Sequence, residues 1–407
     1  PGAGSLYRPK LKMTAPRLLY LGLAFPPGVA DVFPEAQPAG HLIETCLVNS
    51  IRPYADIKSV GISWLHVEEA PPGGTAPGLP HALNLLECKP ELFHRLRSLA
   101  RLKRAYLDWT SSGWVPDVIM VCNFSPVYNG FVRWLSARAN RPRLLLYLAD
   151  SVGLQSHLSL SKRVRYALKP LRWLDSDMVR YFDACVAVSK DTEGFFRARN
   201  YPWLWLPNGC DAARAVRTGG APPASGLRFG YFGTMAPHGG IDRLIEVFRG
   251  WKSNAELHIC GWGKKKEEIA AACAQDSRLR FLGVKTPDEC VRFVRDCDVM
   301  VNPRPIVPGN ENNFSSKVFE YSLGGRAILT SRLSGVDQVL GPEAFYFDAR
   351  QFEPGLRQAL EHVASLPREE LHRRGKAIQD RMLAEFSWER QGRRLRDFIS
   401  AILPQSK

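Results

Sequence analysis

The chain has 407 residues, 45% hydrophobic and 23% charged, with 33 Gly and 30 Pro, an ordinary globular composition at about twice the usual single-domain length. That length predicts two domains with self-sufficient cores, and nine scattered Cys without a C-x-x-C pair argue against a disulfide framework or a zinc knuckle and for a reducing, cytoplasmic compartment. Lys plus Arg exceed Asp plus Glu by 15, which points to a polyanionic partner, and no apolar run approaches the roughly 20 residues needed to cross a bilayer.

The opening Pro1–Lys12 lacks the apolar stretch of a secretory signal and reads as a vector-derived leader, with Met13 a natural start, so residues 1–13 are set outside the fold. Arg17–Phe25 is a short apolar run ending in Pro26-Pro27-Gly28, a buried strand entering a loop, and a helix is expected near Gly40. Strand-length apolar runs return at Val118–Cys122, Leu144–Ala149 and Ala184–Val188. Strands alternating with helices predict a parallel sheet covered on both faces.

Residues 214–226 lose all periodicity and become rich in Gly, Pro, Ala and Ser, the composition of a linker. The pattern then restarts, with strands at Leu227–Phe232, Glu256–Cys260, Leu279–Leu282, Val299–Val301 and Ala327–Thr330 and helices at Ile241–Arg249 and Val318–Leu323. From Glu385 onward an amphipathic helix offers Trp388, Leu395, Phe398 and Ile399 for burial. The expected organisation is an α/β chain of two doubly wound, Rossmann-like domains facing a cleft: 14–213, a linker at 214–226, 227–385, and 386–407 returning to the first domain. In such sheets ligands bind beyond the carboxyl ends of the strands.

Two stretches of the second half carry the most chemistry. In Asn302–Gly325 a strand end passes through a polar loop into a helix opening near Ser315-Ser316, a position suited to phosphate. Lys317 adds a point charge, and Glu320, three residues on, offers a carboxylate to two ribose hydroxyls. Read for structure alone, Ser315 or its neighbour caps the helix and Lys317 pairs with Glu320 at the surface. The turn Gly233–Gly240 follows the first strand of this half, where Gly233 admits a close phosphate and Thr234 and His238 can reach one. Steric need alone also explains glycine there.

The order Pro207-Asn208-Gly209-Cys210-Asp211, Phe232-Gly233 with Gly240-Ile241-Asp242, Gly261-Trp262-Gly263, Phe281-Leu282-Gly283, Phe314-Ser315-Ser316-Lys317-Val318-Phe319-Glu320-Tyr321 and Phe386-Ser387-Trp388-Glu389 resembles GT-B glycosyltransferases, particularly family-4 nucleotide-sugar glycosyltransferases of the bacterial polysaccharide and glycolipid type. The match runs almost continuously through the second half, and Pro116–Val121 and Leu146–Asp150 resemble family strands of the first. The resemblance implies a donor nucleotide diphosphate on the second domain, UDP ahead of GDP, with Glu320 on the ribose and Val284 at the base. Asn313, Phe314, Ser315, Ser316 and Lys317 would lie near the phosphates, and Asp150 would face the transferred sugar or the acceptor.

The sequence departs from that pattern at three places. Asn312 stands for the first glutamate of the family's pair, with Glu311 one residue off register; Thr234 and Gly239 stand where an Arg and a Lys bind the diphosphate; and Cys122 or Asn123 stands for a histidine. Neutralisation of the diphosphate then falls to Lys317, Arg304 and His238. The family retains anomeric configuration, whereas Asp150 could also serve as the base of an inverting relative.

Basic charge beside apolar residues concentrates in Lys89–Trp109, with Arg97, Arg101 and Arg104, and in Lys162–Trp173, with Arg165, Lys169 and Arg172. Such helices can lie at an anionic membrane surface; with Gly40 and His41 they mark the acceptor and membrane side. The expected protein is thus a glycosyltransferase, peripheral on the inner face of the plasma membrane, that moves a sugar from a UDP- or GDP-sugar to a glycan acceptor on a polyprenyl diphosphate. Neither cofactor nor metal is expected, since no D-x-D cluster lies in the expected donor site, and nucleic acid is not expected as a partner because its usual reading modules are absent. The rival readings are a nucleotide-sugar 2-epimerase of the same architecture and a non-catalytic binding subunit with a lapsed donor site.

Overall fold

The computed structural model describes residues 15–22, 38–64, 83–87, 92–149, 175–216, 226–263, 265–306, 314–333 and 335–404. The first half supplies strands β1 (Arg17–Gly22), β2 (Asp56–Trp64), β3 (Leu83–Glu87), β4 (Val118–Cys122), β5 (Arg143–Leu148), β6 (Ala184–Ala187) and β7 (Trp203–Trp205), with helices α1 (Pro38–Ile51), α2 (Leu92–Ser111), α3 (Pro126–Ser136), α4 (Asp175–Met178) and α5 (Glu193–Arg197). They form a parallel sheet of order β3-β2-β1-β4-β5-β6-β7. The second half supplies β8 (Arg228–Thr234), α6 (Ile241–Arg249), β9 (Glu256–Trp262), α7 (Lys266–Ala274), β10 (Leu279–Phe281), α8 (Pro287–Arg295), β11 (Val299–Asn302), α9 (Lys317–Ser322), β12 (Ala327–Ser331), α10 (Val336–Leu340) and β13 (Phe345–Phe347). Its sheet runs β10-β9-β8-β11-β12-β13, again all parallel. Helices α11 (Phe352–Ala364), α12 (Arg368–Glu385) and α13 (Trp388–Ile402) complete the chain.

Continuous apolar runs become central strands because both faces of a parallel sheet are covered by helices. All five residues of β4, VIMVC, and all five of β12, AILTS, are buried. Strand order reverses between β1 and β4 in one sheet and between β8 and β11 in the other, so the crevices for ligands open beyond Gly22 and Cys122, and beyond Thr234 and Asn302. Between the sheets, Cys210 N–H donates to Phe386 O at 2.9 Å and Trp388 N–H to Cys210 O at 3.1 Å, and α13 packs along α1. Leu395 and Ile399 join a buried cluster containing residues of both halves, from Leu18 and Tyr147 to Phe232 and Phe319.

Several expected boundaries shift. The final helix starts at Trp388, after Ser387, and Glu385 instead closes α12. The strand expected at Leu279–Leu282 ends at Phe281, because Leu282 turns into the loop at Gly283, whose φ is 74°. Strands β2, β3, β7 and β13 have no counterpart in the sequence reading: β2 mixes Lys58 and Ser59 into its apolar residues, and β7 and β13 are three residues long. The Arg17–Phe25 strand is described as far as Gly22, and residues 217–225 of the expected linker lie outside the described residues.

Candidate active site

The second-half crevice is built on β8, β11 and α9. Helix α9 is six residues long, and its capping residue Ser316 makes no side-chain cap. Ser315 Oγ donates instead to Asn302 Oδ1 at 3.1 Å, and Asn302 Nδ2 to Thr330 Oγ1 at 2.9 Å. The expected serine cap is therefore absent; the hydroxyl ties the incoming loop to the end of β11. A turn and a half of helix carries little macrodipole, so anion attraction here must come from side chains.

Those side chains converge. Lys317 does not pair with Glu320 as a surface ion pair; its Nζ donates to Tyr231 Oη at 3.0 Å and lies over that ring, 4.6 Å from its centre. Tyr231 in turn donates to Thr234 O at 3.0 Å, so hydroxyl, ammonium and strand end form one chain of hydrogen bonds. Gly233, at φ 147°, leaves the space through which the Lys317 stem passes: a Cβ there would run into Cε and Nζ of Lys317. A Cβ on Gly239 would stand 3.9 Å from the same Nζ. The ammonium thus reaches from the helix into the turn, and the glycines make room for it.

Burial, reinforced by repulsion from Arg304 and opposed by Glu320, pulls the Lys317 ammonium down to about 7. His238 is likewise lowered, by burial first and then by Lys317 and Arg304. Arg304 thus disfavours the charged forms of both Lys317 and His238, as expected of an anion site before the anion arrives. On the other side, burial raises Glu320, while Arg214 and Lys317 pull it back down. Arg214 escaped the sequence reading because it lies about a hundred residues from Glu320 in a segment that resembles linker. Val284 is exposed just beyond Gly283, whose carbonyl accepts from Gly261 N–H at 2.9 Å. Phe314 is buried against Phe319. Asn312 and Asn313 lie outside the described residues.

Residues 226–365 match the family described as glycosyl transferases group 1. That stretch of the second half is similar to a glycosyltransferase group 1 domain. Solved structures match the whole chain. A glycosyltransferase from Rickettsia africae shares 13% identity over 97% of this chain and 100% of its own, at a TM-score of 0.67. Sucrose-phosphate synthase from Thermosynechococcus elongatus shares 13% over 95% and 99%, at 0.66. Anabaena HepE, solved with UDP and glucose, shares 13% over 95% and 100%, at 0.65. At such identities the likeness is one of fold, and that fold is GT-B. No curated protein matches the chain by sequence.

The first-half crevice lies beyond the strand ends of β1 and β4. Asp150 lies outside the described residues, but its neighbour is fixed: Ala149 N–H donates to Asn123 Oδ1 at 2.9 Å, and Asn123 N–H to Tyr147 O at 2.8 Å. Asn123 adopts φ 53°, an uncommon conformation for a residue with a side chain. Nearby, buried Glu44 of α1 accepts from Tyr20 Oη at 2.9 Å and from Cys122 Sγ at 3.3 Å. The sequence reading passed over Glu44; its only signal was a carboxylate on the apolar side of a helix. Gly40 sits in the first turn of the same helix and His41 follows it.

Arg97, Arg101 and Arg104 are exposed on α2, whereas Arg165, Lys169 and Arg172 lie outside the described residues. The apolar face expected to enter a membrane is in part internal: Leu99, Leu102 and Tyr106 pack on the first sheet. A second apolar stripe on α2, Leu92, Phe93, Leu96 and Leu107, remains outside, with Phe93 70% exposed. Among the described residues no helix is long and apolar enough to cross a membrane.

Proposed function

We propose that this GT-B glycosyltransferase transfers a sugar from a UDP-sugar to a glycan acceptor carried on a lipid diphosphate, with residues 227–385 taking the donor and 14–213 the acceptor. The observation that carries the donor half is the convergence of Lys317, Arg304 and His238 around the Gly233–Gly240 turn. A nucleotide diphosphate seated there would favour the protonated forms of Lys317 and His238 beside Arg304, and a leaving diphosphate would be stabilised by the same groups in the transition state. Glu320 accepts the ribose hydroxyls, the loop after Gly283 meets the base near Val284, and Thr234, Ser315 and Ser316 border the phosphates. UDP is preferred over GDP because the fold neighbour HepE was solved with UDP and glucose.

Asp150, with Asn312 opposite, would contact the reacting sugar or acceptor hydroxyl, and retention of configuration follows from the family resemblance. The acceptor's lipid carrier is argued from α2: exposed Leu92, Phe93, Leu96 and Leu107 beside Arg97, Arg101 and Arg104 combine apolar insertion with attraction to anionic headgroups, the chemistry of a peripheral membrane helix on the inner face of the plasma membrane.

Thermal unfolding with UDP, GDP, NAD and a short oligonucleotide in parallel tests the reading. A ligand at about 100 times its dissociation constant stabilises the fold by roughly 2.7 kcal/mol. A rise in Tm with UDP that exceeds the others supports the donor assignment; no rise with either UDP or GDP overturns it.

A further inference from the structure

Strand β9 runs out through Gly261-Trp262-Gly263, and each glycine is there to permit a close approach. Their φ values are 147° and 139°, and a Cβ on either would run into the backbone of Gly233 or Met235. Met235 N–H donates to Trp262 O at 2.7 Å, so this strand end is laid directly on the turn assigned to the donor's diphosphate. On one side, register sets Trp262 beside Thr234 of β8. On the other, the pairing with β10 continues past its last strand residue: Leu282 N–H donates to Ile259 O at 2.8 Å and Gly261 N–H to Gly283 O at 2.9 Å, which brings the loop opening at Val284 to the opposite flank. Trp262 therefore stands in a row between the residue that borders the phosphates and the residue set at the base.

A tryptophan carries a large apolar surface and a polar N–H, and a folded chain ordinarily finds partners for both. Trp203, Trp205 and Trp251 each pack on another ring, and Trp388 lies against the core shared by the two halves. Trp262 is half-buried, yet among the described residues its indole meets no ring, no cation and no hydrogen-bond acceptor, and it belongs to none of the buried apolar clusters. A second observation points the same way. Among the described residues of the second half, the large apolar side chains left exposed are Leu282, Val284 and Ile306, and all three lie just past the carboxyl ends of β10 and β11. Scattered over a surface such residues need no explanation; gathered at one crevice they mark a place where a ligand is covered.

We infer that Trp262 is the platform on which the donor's nucleobase stacks, with Leu282 and Val284 as the apolar rim of the slot. The inference rests on the proposed donor site and names the residue that holds the base by its face. A nucleobase is polar along its edge and apolar above and below. Backbone groups of the loop after Gly283 suit the edge; an indole suits a face, and stacking on it is indifferent to the pattern of the edge. In this row the phosphates separate Trp262 from the transferred sugar, which leaves the base as the group within reach. Because the bond from Met235 N–H to Trp262 O ties the platform to the phosphate turn, one preorganised unit would take both ends of the nucleotide.

The test compares UDP with 5,6-dihydro-UDP, whose base keeps the groups along its edge but is no longer flat, and with inorganic pyrophosphate, by titration calorimetry. The wild type should prefer UDP to the dihydro nucleotide, and UDP should quench its tryptophan fluorescence. Trp262→Ala should weaken UDP about tenfold, the scale of one lost base–aromatic stack, erase the preference for the flat base and leave pyrophosphate within twofold of wild type. Trp262→Phe should recover most of the affinity and lose the quench. Unchanged UDP affinity in Trp262→Ala, an equal loss on pyrophosphate, a preference for the flat base that survives, or a loss seen with the UDP-sugar and not with UDP overturns the inference and leaves the donor site standing. Failure of the wild type to bind UDP overturns the donor site itself, and this inference with it. If Trp262→Ala does not fold, Trp262→Leu, apolar but without an aromatic face, carries the same comparison: UDP and dihydro-UDP bound alike supports the stack, and a retained preference overturns it.

Discussion

At the strand ends of the second sheet, basic groups gather around a glycine turn: Arg304 disfavours the charged forms of Lys317 and His238, and Lys317 is pulled down to about 7. The strand ends of the first sheet hold a buried carboxylate instead, Glu44, satisfied by the neutral hydroxyl of Tyr20 and thiol of Cys122, while Tyr128 donates to the carbonyls of Gly22 and Val60 at 2.6 and 3.1 Å. Arg97, Arg101 and Arg104 of that half stand outside, on the exposed face of α2. One doubly wound topology built twice thus carries its charge in two ways: gathered at a point beyond the second sheet and, in the function proposed above, spread over the α2 surface of the first half to meet headgroups.

The contrast can be broken at four points. The largest effect is expected at Asp150, the acceptor-side group: Asp150→Asn should lower kcat by roughly a hundred- to ten-thousand-fold with UDP affinity intact, and unchanged turnover removes it from the mechanism. Next comes the diffuse surface. Replacing Arg97, Arg101 and Arg104 together by Ser should weaken binding to anionic vesicles by about 3 kcal/mol, at roughly 1 kcal/mol for each charge, and leave UDP affinity unchanged. Equal sedimentation of both proteins with vesicles sinks the membrane assignment of α2.

The point charge follows. Lys317→Met should cost about 2 kcal/mol of UDP affinity, the value of a charge-assisted contact, and leave vesicle binding alone. The same variant tests the sign of the charge's burial. An unfolded Lys keeps its proton to about 10.5, whereas the folded one gives it up near 7. Between those values the unfolded state binds more protons, so stability should rise with pH from about 7 to about 10 and level off below. Urea unfolding at pH 7 and pH 9 should show that rise in the wild type and a flatter profile in the variant, and calorimetry in two buffers should find UDP binding coupled to proton uptake only when Lys317 is present. The smallest effect is expected from Tyr231→Phe, which removes the hydroxyl holding Lys317 and should weaken UDP by about 1 kcal/mol; a loss as large as that of Lys317→Met would mean that the tyrosine itself meets the ligand.

Much of this architecture was legible because it rests on local pattern. The apolar runs at Val118–Cys122 and Ala327–Thr330 lie in strands buried on both faces and needed no partner to be recognised. Ile241–Arg249 declared itself by Ile241, Leu244, Ile245 and Phe248 on one side. Three-residue strands such as Trp203–Trp205 carry too little periodicity to register, and they exist because a neighbouring edge accepts them. Within the site, Lys317 and Glu320 could be singled out because they share one short helix. The partners that govern them could not: Tyr231 is 86 residues from Lys317, and Arg214 sits in a stretch without pattern.

The sequence by itself determined the doubly wound class, the restart of the pattern after residue 226, and the gathering of candidate donor-site residues between Asn302 and Gly325, since these follow from apolar period and residue type along the chain. Tertiary structure decided where the charges act. It withdrew Ser315 from capping, sent Lys317 beneath the glycine turn rather than to Glu320, and divided the apolar residues of α2 between core and surface. Burial and distance set the strength of an electrostatic interaction, and neither is a property of neighbours in sequence.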